Sequence, residues 1–211
     1  TTAREGDSTK IDRVEIASLT AKDFYHRFLS GGAPVILTGA LHDVQDWTLP
    51  LLREHLAGEI FPARHYGVER FTLPKTQWKT YCDFKSLPCE DYVEMLADGR
   101  ARHEKIYMAQ VEIGATRAAI PVRGAVERLH RHTGLERNPQ MDLNLWLGAG
   151  GHTEPLHFDS HDGTLMQLHG AKRVILFPPS QTENLYPFAF FGGGLAPWFS
   201  QVYLDKPDFA A

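Results

Sequence analysis

From Met141 onward the chain is cut into apolar segments too short to be helices, and this constrains its fold more than any other feature. The segments run at about Asp142–Leu147, Pro155–Asp159, Thr164–Leu168 and Lys172–Phe177, with Gly, Pro, His and Asp between them. A helix needs roughly 10–12 residues to bury a stripe, whereas a strand manages with about 4–8. Closely spaced short strands separated by turn residues predict a β-sandwich or barrel.

The second segment also carries chemistry. It holds His157-Phe158-Asp159, and residues two apart on a strand point to the same face. An imidazole and a carboxylate aimed at one point supply two arms of the 2-His-1-carboxylate arrangement that binds non-haem Fe(II). Taken alone, such a pair is more often a hydrogen-bonded couple than a metal site. Lys172, taken alone, is a surface lysine, and Trp146 reads first as a core aromatic.

The first two thirds of the chain read differently. Thr20 N-caps a helix over Ala21–Ser30 with Asp23 at the capping-box position, Phe24, Phe28 and Leu29 face the core, and Gly31-Gly32 stops it. Pro34–Thr38 is a short buried strand. Thr48 caps a second helix with Pro50 in its first turn and Leu51, Leu52 and Leu56 as its stripe. Strands are expected at Ile60–Tyr66 and Arg70–Leu73, a turn-rich segment at Asp83–Glu90, and a third helix at Asp91–Leu96 ended near Gly99. Lys105–Ile113 alternates as a strand does, and Val122–Thr133 reads as a helix ended by Gly134. The organisation expected is a flexible terminus over 1–13, an α/β region over 14–140, and the β-rich region over 141–211.

The formal net charge of −4 gives no global basic field for nucleic acid or anionic membrane. Nucleic acid is therefore a disfavoured partner, though Arg117, Arg123, Arg128, Arg131 and Arg137 fall in one region, where a solvated helix face is the plainer reading. Cys82 and Cys89, spaced unlike a metal or redox pair, read as reduced thiols. No secretory or membrane-spanning segment stands out, so a cytoplasmic setting is expected, with the nucleus also open.

With these residues in hand, a family resemblance becomes specific. His157-x-Asp159, Gly170-x-Lys172, Leu176-Phe-Pro-Pro179 and Leu185-Tyr-Pro187 occur in the order and spacing of JmjC-type, cupin-like oxygenases. The chain resembles their hydroxylase branch, which includes the asparaginyl hydroxylase that inhibits the hypoxia-inducible factor. Pro34–Gly39 and Leu51–Leu56 are similar to that branch's opening, so the likeness runs from about Val14 onward. It implies a mainly β fold with N-terminal helices (α+β), built on a double-stranded β-helix, the jelly roll of cupins. It also implies Fe(II), 2-oxoglutarate and O2. By the resemblance, His157 and Asp159 ligate iron and Lys172 pairs with the distal carboxylate of 2-oxoglutarate, a task suited to a compact cation on a flexible stem. Tyr107 matches a position whose phenol lines the same pocket; Asn144 lies on the strand before the motif and could point inward.

The chain also departs from the pattern. Where many relatives carry Thr or Ser three residues before the histidine, it has Glu154, whose charge would repel a carboxylate; Thr153 beside it would face the other way. Where many carry Asn six residues after, it has Gly163, with Thr164 or a protonated Asp162 as substitute donors out of register. The third ligand of the family is a histidine on a late strand, and no histidine follows His169; neither His161 nor His169 is expected to take its place. The expectation is that only the first half of the jelly roll lies in these residues. Its completion, and the third ligand, would come from beyond Ala211 or from a partner chain, a second copy included. The reaction expected is hydroxylation of a protein side chain or another substrate C–H bond. The alternatives are an inactive cupin-fold binding or scaffold protein, and a half-barrel subunit completed by a partner.

Overall fold

The computed structural model describes residues 10–66, 82–135, 143–189 and 197–202. In chain order its elements are β1 (Asp12–Glu15), α1 (Ala21–Phe24), β2 (Val35–Thr38), α2 (Leu49–His55), β3 (Ile60–His65), β4 (Asp83–Pro88), α3 (Cys89–Ala97), α4 (Arg100–His103), β5 (Ile106–Glu112), α5 (Arg123–Thr133) and β6 (Asn144–Gly148). They fall into two compact units, one drawn from residues 1–46 and 113–143, the other from 47–112 and 144–211.

In the first unit the expected capping box is present. The Asp23 amide donates to Thr20 Oγ1 at 3.2 Å and the Thr20 amide to Asp23 Oδ2 at 3.3 Å. Helix α1 then continues through a π-type turn over Tyr25–Leu29. This rotation keeps Phe24 and Phe28 together, their rings 6.0 Å apart, in a core with Leu19. Strand β2 pairs in parallel with β1, a strand with no sequence signal beyond the single apolar Val14. Helix α5 is tied down by its side chains: His132 Nδ1 lies 2.9 Å from the Leu19 carbonyl, and Arg128 donates to the Ala40 carbonyl and pairs with the Asp43 carboxylate. It ends, as its sequence predicts, on Gly134 at φ +65°. A Cβ there would stand 2.8 Å from that of Ala21. Gly134→Ala therefore combines left-handed strain with a clash and should cost about 1–2 kcal/mol or more, read as a lowered denaturation midpoint; an unchanged midpoint would contradict the packing.

The second unit is built on an antiparallel sheet of order β4-β3-β5-β6. The Asp83–Glu90 segment, expected to be turns, is strand β4 followed by the start of α3. It lacks apolar alternation because most of its side chains are exposed; pairing with β3 from Ile60↔Pro88 to His65↔Asp83 defines it. The Arg70–Leu73 strand lies outside the described residues. Helix α3 runs beneath the sheet with Cys89, Tyr92, Val93 and Met95 buried, and burial pushes the Cys89 thiol up to about 12. Strand β5 is buried along most of its length. A bulge between Met108 and Val111, where Gln110 takes φ +58°, shifts its register against β6.

Beyond β6 the expected strand ladders at Pro155–Asp159, Thr164–Leu168 and Lys172–Phe177 do not form among the described residues. One isolated antiparallel bridge, His157↔Phe199, stands in the first of them. Backbone hydrogen bonds from Phe158 to Trp198 and from Ser200 to Leu156 flank it. Phe158, Leu165, Val174, Ile175, Leu176 and Phe177 all face solvent. A strand exists only where a neighbour takes its N–H and C=O groups, and among the described residues residues 199–200 are the neighbour seen here. No helix among the described residues is long and apolar enough to cross a membrane.

Candidate functional site

His157 is exposed, and its position is set from both sides. Its backbone is held by the bridge to Phe199, whose ring stands 5.3 Å from the imidazole. Its Nδ1 lies 2.7 Å from the Pro155 carbonyl. A carbonyl only accepts, so Nδ1 carries a proton, and Nε2 is the ring nitrogen left for a metal, the arrangement of a metal-ligating histidine. Asp159 is exposed two residues on. The two groups suit Fe(II) as donors, imidazole nitrogen and carboxylate oxygen, but no set of three His, Cys, Asp or Glu placed to hold a metal occurs among the described residues. His161 Nδ1 instead lies 2.8 Å from the Ser160 hydroxyl.

The second group of site residues is assembled by the sheet. Tyr107 on β5 faces Arg64 on β3 in the strand register and Gly148 on β6. A Cβ on Gly148 would lie 2.8 Å from two Tyr107 ring carbons, so glycine is what lets the ring lie flat across β6. The turn after β6, with Gly151 at φ +87°, brings His152 back over that ring at 4.1 Å and stacks it on Tyr66 at 5.5 Å. Tyr66 and Tyr107 are both buried. His152 Nε2 is 3.0 Å from Glu154 Oε1. Burial works to raise the Glu154 carboxyl, yet it sits below its usual value because the His152 hydrogen bond and the charges of His152, Arg64 and His157 outweigh it. Burial, reinforced by Glu154, raises the Tyr107 phenol well above its ordinary range. The Arg64 guanidinium reaches the Tyr66 hydroxyl at 3.5 Å, while its Nε–H is buried with no hydrogen bond among the described residues.

The sequence-derived candidates thus divide. Tyr107 and Glu154 belong to this cluster; His157 and Asp159 follow it in the chain; Asn144 is half-buried on β6 opposite Glu112. Thr164 and Lys172 are exposed, and Lys172 makes no ion pair among the described residues. Trp146, expected in the core, is 42% exposed, because on β6 it alternates away from buried Leu145. Arg64, Tyr66 and His152 were not anticipated. Their only sequence signal is the i, i+2 spacing of Arg64 and Tyr66 on one strand face.

Comparison with known proteins follows the same lines. A family model described as a cupin-like domain matches residues 21–211. The chain is 27% identical over 159 residues to the lysine-specific demethylase JMJ31 of Arabidopsis thaliana, which is 66% of this chain and 27% of that protein. It is 45% identical over 47 residues to the Jumonji C domain-containing protein 5 of Drosophila melanogaster, 22% of this chain and 12% of that protein. It is 38% identical over 66 residues to the lysine-specific demethylase 8 of Danio rerio, 31% of this chain and 16% of that protein. The chain therefore spans about a quarter or less of the length of these relatives. With a model match over nearly its whole length and JmjC proteins as its relatives, the chain belongs to the cupin-like domain family, on its JmjC side.

Proposed function

We propose that the chain carries part of the active site of an Fe(II)- and 2-oxoglutarate-dependent dioxygenase that hydroxylates a C–H bond, in a protein side chain or another substrate. The observation that carries this reading is His157: inside a cupin-like domain, its Nδ1–H is committed to the Pro155 carbonyl and its Nε2 is left as a donor two residues from Asp159. His157 and Asp159 would hold the iron, and a third donor would come from outside the described residues. The bound iron, with 2-oxoglutarate, would supply the activation of O2. The chain's own residues would orient and exclude: the Pro155 carbonyl fixes the imidazole, and Tyr107, buried beside Tyr66, would line the cosubstrate pocket.

Lys172 would meet the distal carboxylate of 2-oxoglutarate, with Thr164 and Asn144 as polar neighbours. The exposed apolar side chains from Phe158 to Phe177 support strands packing over this segment, as completion of a jelly roll requires. The relatives named as lysine demethylases point to N-methyl groups of a protein as one substrate class, reached through hydroxylation of the methyl carbon. The test is succinate release from 2-oxoglutarate with added Fe(II). Turnover should need the metal, and Lys172→Met should weaken 2-oxoglutarate binding roughly tenfold or more. No iron-dependent succinate from the wild-type protein would overturn the reading.

A further inference from the structure

His157 lies in a segment without a strand ladder among the described residues, yet residues 198–201 strap it in place. On one side of the strap the Phe158 amide donates to the Trp198 carbonyl at 3.0 Å and the Ser200 amide to the Leu156 carbonyl at 2.9 Å. These two bonds bracket the His157↔Phe199 pair. On the other side the Phe188 amide donates to the Phe199 carbonyl at 3.0 Å and the Gln201 amide to the Tyr186 carbonyl at 2.9 Å, around the Pro187↔Ser200 pair. Ser200 is buried, and its hydroxyl donates to the Leu185 carbonyl and accepts from the Val202 amide. The Leu185-Tyr-Pro187 motif is thus the far anchor of the strap.

An antiparallel pair that is flanked by hydrogen bonds rather than making them brings its side chains closest. The Phe199 ring accordingly stands 5.3 Å from the imidazole at a tilt of 36°, within the range of an offset aromatic contact. The Pro155 carbonyl, 2.7 Å from Nδ1, fixes one edge of the same imidazole. One hydrogen bond leaves a ring free to pivot about it, and the Phe199 face removes that freedom.

We propose that Phe199 is a positioning residue for His157, and that Ser200 holds Phe199 in place by tying the strap to the Leu185–Phe188 segment. Phe199 acts only through the imidazole: the Pro155 carbonyl selects the tautomer, the ring contact sets the plane, and Nε2 keeps one direction before any metal arrives. The role rests on the oxygenase reading for the metal that His157 would ligate.

Two readouts test it, one of them without metal. In protein held in chelator, heteronuclear NMR of the histidine rings, with the His157 signal assigned by its loss in His157→Ala, should show the neutral ring as a single Nδ1–H tautomer. Phe199→Leu removes the aromatic face but keeps the backbone bridge, and should show a mixture. Titration with Mn(II) should show affinity lowered roughly tenfold or more in Phe199→Leu, the low end of what groups orienting a metal-ligating imidazole are worth. Phe199→Tyr keeps the ring and should match the wild type in both readouts. Ser200→Ala should move both toward Phe199→Leu with unchanged circular dichroism; a Ser200→Ala protein equal to the wild type removes Ser200 from the role. Should Phe199→Leu fail to fold, Phe199→Met, closer in volume, replaces it. Where the wild type binds Mn(II), affinity within about twofold of it in Phe199→Leu overturns the proposal, as does an equal loss in Phe199→Tyr. A wild type that binds no Mn(II) sinks the oxygenase reading instead. The tautomers then decide alone: a mixture in Phe199→Leu upholds the positioning role, and a single tautomer overturns it.

Discussion

His157→Ala should abolish iron-dependent turnover of 2-oxoglutarate, lowering it at least roughly 100-fold, since even groups one shell outside a metal commonly matter 10–100-fold. The loss should be of metal affinity first. Titration of Mn(II) or Fe(II) into the variant should show no binding under conditions that saturate the wild type. Asp159→Ala should behave alike, because it likewise takes one of the three protein donors from the site. The fold should survive: His157 is exposed, and the bridge that positions it is made by backbone groups. Unchanged circular dichroism therefore separates a lost ligand from a lost structure. His161→Ala and His169→Ala are the controls. His161 is engaged with the Ser160 hydroxyl, and neither histidine joins His157 and Asp159 in a metal-binding group; both should turn over as the wild type does. Equal background turnover in wild type and His157→Ala would remove the enzyme reading. Loss of turnover in His161→Ala or His169→Ala would instead point to the third ligand.

What the sequence made legible were the features whose physics is local. The Thr20–Asp23 box and the Gly134 cap are each made within one turn of chain, so their residues announce them. The His157-x-Asp159 pair is likewise a two-residue pattern. Strands are a different matter, because their hydrogen bonds are made by another segment. Strand β4 was concealed by its exposed, irregular side chains, and β1 by its shortness, until their partners defined them. The reverse error came from the same cause: Thr164–Leu168 and Lys172–Phe177 have strand composition but form no ladder among the described residues. The cluster at Tyr107 was half visible. Glu154 stood out as a misplaced charge, but Arg64 and His152 reach it only through the β3–β5 register, the missing Cβ of Gly148 and the turn that follows. Three non-local conditions must hold together, and no window of sequence contains them.

Tyr92 should be among the most sensitive positions of the second unit. Its side chain is fully buried on α3, and its hydroxyl lies 3.1 Å from the Ile106 carbonyl and 2.9 Å from that of Leu147. One phenolic hydrogen is thus shared between neighbouring strands, pinning the helix where β5 meets β6. Tyr92→Phe keeps the ring and removes the donor. It should cost about 1–3 kcal/mol, the desolvation of carbonyl groups left without it. Tyr92→Ala opens a cavity as well and should cost about 3–5 kcal/mol, a large share of the 5–15 kcal/mol that typically holds a domain together. Burial raises the Tyr92 phenol well above its usual value, so the folded state retains a proton that the unfolded chain releases. The bond's contribution is therefore whole below pH about 10, the free phenol value, and declines as pH rises above it. Tyr92→Phe should remove part of that alkaline loss. Because Ile106 adjoins Tyr107 and Leu147 adjoins Gly148, loosening this junction should also disturb the His152 stack. Stability of Tyr92→Phe within a few tenths of a kcal/mol of wild type would mean the shared hydrogen bond does not hold the strands.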